Sequence, residues 1–154
     1  MSQNKQPTLP TVVVFADGQN INLLEQSQSI IACAKTLGHI SQLSAYHNWR
    51  QLKQAKAQKL QADGWLCIDI AGNGKNRLDK MLIHHCQQLC STLKPDIIVL
   101  VTGDRDFRCL IESCQGRGQR IVVIGRRNYM SHCFHRLIPQ GVHYLEDLRM
   151  PAAA

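Results

Sequence analysis

Val12-Val13-Val14-Phe15-Ala16-Asp17-Gly18-Gln19-Asn20 and Ile97-Ile98-Val99-Leu100-Val101-Thr102-Gly103-Asp104-Arg105-Asp106-Phe107 share one pattern. Each is a short apolar run that stops abruptly at glycine and carboxylates. Runs of this length, bounded by turn residues, read as strands buried on both faces, and such strands belong to parallel sheets covered by helices. If the two strands are neighbours in one sheet, Asp17, Asp104 and Asp106 meet at its C-terminal edge, where open α/β sheets place their sites. Three carboxylates at one point repel each other, and a divalent cation, Mg²⁺ or Mn²⁺, is the usual remedy.

The rest of the chain alternates in the same way. Residues 11–16 form the first strand, followed by a helix from Asn22 to Leu37 that stops at Gly38. Ile40 to His47 reads as a strand and Arg50 to Ala62 as a helix carrying Lys53, Lys56 and Lys59. Trp65 to Ile70 is a third strand, and Ala71 to Arg77 is a loop rich in Gly and Asn. Leu78 to Leu93 is a helix, and Pro95 marks the start of the strand from Asp96 to Thr102. A helix from Arg105 to Gly116, a strand from Arg120 to Ile124, a short helix from Ser131 to Leu137 and an extended piece near Val142 to Leu145 complete the series. Strict alternation predicts an α/β/α sandwich of three layers on a mostly parallel sheet of about five or six strands. One domain is expected over residues 10–149, with a disordered polar tail at 1–9 and a short tail at 150–154.

Lys and Arg total 18 against 11 Asp and Glu, a net charge of +7. Acids are scarce, yet three of them fall in the two strand-end clusters. A basic body around an acidic spot suits a polyanion that the body holds and the spot processes. Seven cysteines, an odd number, and no apolar h-region within Met1 to Pro10 lead to the expectation of a reduced, cytoplasmic protein without disulfides. No run approaches the ~18 apolar residues of a membrane span, so no membrane partner is expected.

Asp17 and Asn20 stand three residues apart just past the first strand. Both offer oxygen to a hard cation, and both would equally serve an Asx turn with a helix cap at Asn20. Gly103 lets the chain turn sharply, so Asp104 can point into the cleft while Asp106 opens a helix, where the dipole also favours an acid. Asp79 occupies the first turn of another helix, after Gly74-Lys75-Asn76-Arg77. Three separate strand-to-helix junctions thus present acids on one expected sheet edge.

These residues resemble the NYN domains, the branch of the PIN-like nuclease superfamily that includes the LabA-like proteins. Asp17-Gly18-Gln19-Asn20-Ile21 is similar to the family's first motif, and Lys75-Asn76-Arg77-Leu78-Asp79 to its second. Thr102-Gly103-Asp104-Arg105-Asp106-Phe107 resembles its third, S/T-G-D-x-D-F, the most specific of the set. Gly118 to Gly125 fits the strand that follows, and the likeness runs over roughly residues 11–148. It implies a PIN-like fold and a metal-dependent endoribonuclease. Asp17, Asp79, Asp104 and Asp106 would hold Mg²⁺ or Mn²⁺, and Asn20 would orient the bound water or the scissile phosphate. Lys75, Arg77 and Arg105 would hold flanking phosphates of RNA, single-stranded by preference, and the cut would leave a 5′-phosphate. Lys53, Lys56, Lys59, Arg126 and Arg127 would extend the track, and a homodimer would double it. One departure stands out. Members of the family often carry another acid about two turns after the second-motif acid, whereas this chain has Met81-Leu82-Ile83-His84-His85-Cys86. With His85 in that place the site would hold one metal, prefer Mn²⁺ over Mg²⁺, or have weakened activity.

Other signals carry less. Gly72-Asn73-Gly74-Lys75-Asn76-Arg77 begins like a dinucleotide fingerprint, but Arg77 stands where the third glycine should be. His84-His85-Cys86 with Cys90, and His132, Cys133 and His135, lack a CxxC pair, and adjacent helical residues point apart. No Gly-x-Ser-x-Gly elbow is present. The alternatives are a catalytically weak or inactive RNA-binding module of the same fold, a phosphatase for a small phosphoester, and a scaffold. The phosphatase lacks a D-x-D-x-T nucleophile motif. Against the scaffold, an aromatic content of 5% offers no large contact surface.

Overall fold

The structure, a computed structural model, describes residues 8–72 and 76–148. Six strands form one sheet: β1 (Thr11–Asp17), β2 (His39–His47), β3 (Leu66–Asp69), β4 (Ile97–Val101), β5 (Arg120–Gly125) and β6 (Val142–Tyr144). Their order is β3-β2-β1-β4-β5-β6 and every pairing is parallel. Five helices cover the sheet: α1 (Leu23–Leu37), α2 (Gln54–Asp63), α3 (Arg77–Leu93), α4 (Arg108–Gly116) and α5 (His132–Leu137). The strand order reverses between β1 and β4, the two runs that opened the sequence reading. Their register pairs Val12 with Ile97 and Ala16 with Val101. The crevice beyond their C-terminal ends is where the helices leave the sheet in opposite directions, the place where such sheets bind ligands.

Side-chain parity sorts the core into two layers. Val12, Val14, Ala16, Val99 and Val101 pack with Ile30 and Ala34 of α1 and Leu60 of α2. Val13, Phe15, Ile98 and Leu100 pack with Leu82 of α3, Leu110 and Ile111 of α4, and Phe134 of α5. Both faces of β1 and β4 are therefore dry, as their uninterrupted apolar runs require. Each such side chain contributes about 1.5–3 kcal/mol by leaving water. Position 17 continues the series 13, 15 and points to the α3 side. That parity sends the Asp17 carboxylate toward the layer containing Asp79.

Local chemistry sets the helix boundaries. Asn22 caps α1, its Oδ1 accepting the Glu25 N–H at 3.4 Å. The cap thus sits at Asn22 rather than Asn20, because Asn20 is occupied elsewhere. Gly64 closes α2 in the left-handed region at φ 107°, and Lys94 at φ 46° closes α3 just before Pro95.

The predicted helix over Arg50 to Ala62 is broken. A 3-10 turn at Trp49–Gln51 ends in extended backbone at Leu52 and Lys53, and α2 starts only at Gln54. Tertiary bonds override the helical propensity of this stretch. The Trp49 Nε1–H donates to the Ala45 carbonyl at 3.0 Å, and the Arg50 N–H donates to Asp69 at 3.0 Å. The expected helix at Arg105 to Gly116 also opens with a 3-10 turn, Arg105–Phe107. Of the tails expected at 1–9 and 150–154, all but residues 8 and 9 lie outside the described residues. Among the described residues no helix is long and apolar enough to cross a membrane, and all seven cysteines are free.

Candidate metal centre

Asp17 ends β1 and is 1% exposed. The chain turns immediately after it, because the Gly18 N–H donates to the Tyr46 carbonyl at 2.8 Å. A Cβ on Gly18 would lie 2.7 Å from that same oxygen, so only glycine permits the turn. The Asp17 Oδ1 accepts the backbone N–H groups of Gln19 at 3.1 Å and Asn20 at 3.3 Å. Its Oδ2 accepts the Asn20 Nδ2–H at 2.6 Å. The Asx turn foreseen in the sequence is present, and the Asn20 side chain is spent on holding Asp17. Burial raises the Asp17 pKa above its ordinary value, these hydrogen bonds oppose the rise, and the charge of Asp104 adds to it.

Asp104 and Asp106 follow β4. The buried Thr102 hydroxyl accepts the Asp104 N–H at 3.2 Å, and the Asp104 Oδ1 accepts the Asp106 N–H at 2.9 Å. Asp104 thereby caps the 3-10 turn Arg105–Phe107, which Phe107 anchors in the core. Gly103 is required by close approach. A Cβ there would fall 2.1 Å from the Tyr129 carbonyl oxygen, and the Gly103 carbonyl accepts the Ser131 N–H at 3.0 Å.

Asp79 stands in the first turn of α3, 9% exposed, three residues before the fully buried Leu82. One carboxylate oxygen from each of Asp79, Asp104 and Asp106 lies within 4.8 Å of the other two. Asp17 stands outside that triad but within reach of its field. The Asp79 pKa is pushed up to about 7, first by burial and then by the charges of Asp104, Asp17 and Asp106. Among the described residues the salt bridges are Arg50 with Asp69, Arg108 with Glu112 and Arg127 with Asp147. None reaches these four acids. A crowded carboxylate set that runs from buried Asp79 to exposed Asp106, has no salt bridge among the described residues and offers only hard oxygen atoms fits a divalent ion such as Mg²⁺ or Mn²⁺.

His85 does not join the triad. Its Nδ1 is 2.9 Å from the Tyr46 hydroxyl, on the same side of the sheet. Lys75 lies outside the described residues. Arg77 opens α3 and is exposed, its guanidinium close enough to Gly72 that a Cβ there would meet it at 3.2 Å. Arg105 is exposed between the two acids, on the flank that Arg108 and Arg136 share. Arg126 donates through Nη2 to the Asn20 carbonyl at 3.0 Å and stacks 4.3 Å from the Tyr129 ring centroid. Arg127 is tied to Asp147 and stacks on Tyr144, so it serves the end of β6. Lys53, Lys56 and Lys59 are exposed, and of the three only Lys56 lines a cavity by the site.

The sequence reading missed His47, Trp49 and Tyr129. Each lies just beyond, or at the last residue of, a parallel strand at the C-terminal edge, and that position was the available signal. A hollow of about 210 Å³ among Asn20, Gly103, Asp104, Arg126 and Tyr129 adjoins the acids. A second, of about 360 Å³, continues from Asn20 and Arg126 to His47, Trp49 and Lys56. A larger cavity, about 710 Å³, is at the opposite edge near Lys94, Asp96 and Arg117. Asp96 is its only carboxylate, so size there does not coincide with chemistry.

The NYN domain family model matches residues 11–141. Among curated proteins none gives a significant match. Among solved structures, the crystal structure of a protein of unknown function from Vibrio parahaemolyticus superposes with a TM-score of 0.79. It is 17% identical, over 96% of this chain and 98% of that one. At that identity the likeness speaks for the fold, which is the PIN-like α/β/α sandwich expected from the sequence.

Proposed function

We propose, from the premise that this chain belongs to the NYN domain family, that it is a metal-dependent endoribonuclease. The family carries a nuclease fold of the PIN-like type. One observation supports the reading above the others: Asp79, Asp104 and Asp106 converge within 4.8 Å, and among the described residues no salt bridge neutralises them. A divalent ion bound there would lower the pKa of a water and offset charge on the phosphodiester in the transition state.

The chain's own groups divide the remaining work. Asp79 holds a proton below about pH 7 and releases it above, which sets the range in which the triad is fully charged. The Thr102 hydroxyl and the cap on Asp106 fix Asp104. Asn20 pins Asp17, whose carboxyl is coupled electrostatically to Asp79 and Asp104. Arg77 and Arg105, with Lys75 two residues before Arg77, are close enough in sequence to the acids to grip phosphates on either side of the cut, which would leave a 5′-phosphate. The net charge of +7 favours capture of single-stranded RNA.

The test is incubation of the whole chain with end-labelled single-stranded RNA in Mn²⁺, Mg²⁺ or EDTA, beside Asp104→Asn. Cleavage that needs metal and vanishes in the variant upholds the proposal. A second reading, an RNA-binding module without turnover, draws on His85: where relatives often carry a further acid, this residue is engaged by Tyr46. Tight binding without cleavage in any metal would select it.

A further inference from the structure

The groove beside the acid cluster has a composition that phosphate binding alone does not explain. Trp49 forms one wall, half-buried, with its indole N–H locked on the Ala45 carbonyl at 3.0 Å. The His47 ring packs against it, centroids 5.2 Å apart. Burial holds the His47 imidazole below its ordinary pKa, so a neutral ring lines the groove near neutral pH. The floor is apolar, from Leu23 and Leu60, and the rim carries Lys56 and Arg126 with no acid among the lining residues. At about 360 Å³ the groove lies in the size range of small-ligand sites. Arg126 and Asn20 line both this groove and the hollow containing Asp104, so the two are continuous.

We infer that this groove is a nucleobase subsite. One base of the bound strand stacks on Trp49, while the phosphate joining it to the nucleotide at the acids passes between Lys56 and Arg126. A rigid aromatic wall, an apolar floor and a cationic rim are the elements by which proteins hold single strands without reading their sequence. The inference rests on the reading above for RNA as the ligand, and not on turnover. Aromatic stacking then gives affinity, while the acids act on the neighbouring phosphodiester.

The chain supplies its own probe. It has two tryptophans, and Trp65 is 2% exposed with its Nε1–H on Ser27 at 2.8 Å. Trp49 is therefore the tryptophan that a strand can reach. Oligoadenylate RNA is titrated into the wild-type chain in EDTA while tryptophan emission is read. Saturable quenching is expected, and an abasic ribose-phosphate oligomer of the same length should bind about five- to a hundredfold more weakly without quenching. Trp49→Leu should weaken oligoadenylate by a similar factor and leave the salt dependence unchanged, because the phosphate contacts remain. Equal affinity for the abasic oligomer, or binding without quenching, overturns the inference, and the wild-type titration decides this even if the variant fails to fold. Metal-dependent cleavage with no quenching would leave the ribonuclease reading standing and remove the subsite. Quenching with no cleavage in any metal would do the reverse, and absence of both binding and cleavage would overturn both.

Discussion

Strands β1 and β4 are neighbours along their whole length, and each of their two shared ends carries an acid, treated in opposite ways. At the N-terminal edge, one oxygen of Asp96 accepts the Thr11 N–H at 2.8 Å and the Thr11 hydroxyl at 3.1 Å. The Asp96 N–H returns a bond to the Thr11 carbonyl at 3.1 Å. Through that one oxygen the carboxylate clasps the two strand starts. At the C-terminal edge Asp79, Asp104 and Asp106 crowd together with Asp17 close behind, and the described residues offer them no ion pair. The lesson is that residue type does not mark a site, since aspartate appears at both ends. A convergence of carboxylates does, because folding must overcome their repulsion and only a retained proton or a bound cation returns the cost.

The largest test of this contrast is activity. Asp79→Asn should lower RNA cleavage by about a hundredfold or more, given that metal assistance is worth several kcal/mol. Asp96→Asn should leave the cleavage rate of folded protein unchanged. Comparable losses in a cleavage assay from the two substitutions would erase the distinction between the edges.

Next in size is backbone packing. Gly103→Ala drives a methyl group to within 2.1 Å of the Tyr129 carbonyl and should cost about 1–3 kcal/mol or displace the turn. Gly116, at the end of α4, has room for a methyl group, which would meet nothing within 4 Å. Gly116→Ala should be neutral or stabilise by up to about 1 kcal/mol. Urea midpoints of the two variants check the pair.

A third expectation concerns pH. The folded chain keeps the Asp79 proton up to about pH 7, whereas the unfolded chain releases it near the ordinary value of 3.8. Between those limits the folded state binds more protons, so this group's contribution is complete below about pH 4 and is lost as pH rises through about 7. Metal-free stability should therefore decline across that window, and Asp79→Asn should flatten the decline. Mn²⁺ should raise the melting temperature well above pH 7 and do little near pH 5, where the proton competes for Asp79. A metal effect that is the same at both pH values would break the assignment.

The smallest effect belongs to the clasp. Thr11→Val removes the hydroxyl that donates to the Asp96 carboxylate and accepts the Asp96 N–H, which keeps its bond to the Thr11 carbonyl, and should lower stability by roughly 0.5–1.5 kcal/mol with no change in metal response. Equilibrium denaturation with and without Mn²⁺ would read both.

Much of this was legible in the chain. Unbroken apolar runs fix β1 and β4 as strands covered on both faces, because alternation would be needed if either face met water. The acids at their ends follow from the same reading, whereas the side of the sheet on which Asp17 lies emerges only once α3 is seen to cover the face of Val13 and Phe15. The break at Leu52 and Lys53 was not legible, because Gln, Ala, Lys and Leu favour helix throughout 50–62. Only the bonds of Trp49 to Ala45 and of Arg50 to Asp69, each fixed by the fold, override that preference. The aromatic wall was hidden for a similar reason. A composition of 5% aromatics argues against a broad contact surface, but a single ring matters once the fold sets it beside an acid cluster. The division of labour among the acids was likewise unavailable, since Asp17 differs from Asp104 only in the partners that the turn at Gly18 provides.

The pairing of β1 with β4 also sets a schedule. Thr11 and Asp96 are 85 residues apart, and the strand that ends at Asp17 waits for that distant partner before its other side is covered. Contacts of such separation form slowly and depend on loop closure. Asp17 is made first, Asp79 later and Asp104 later still, each harmless alone. Under the ribonuclease proposal, a chain emerging from the ribosome would lie beside RNA without cutting it until the β4 segment has been synthesised and has docked. Assembly of the sheet is thus its own safety catch.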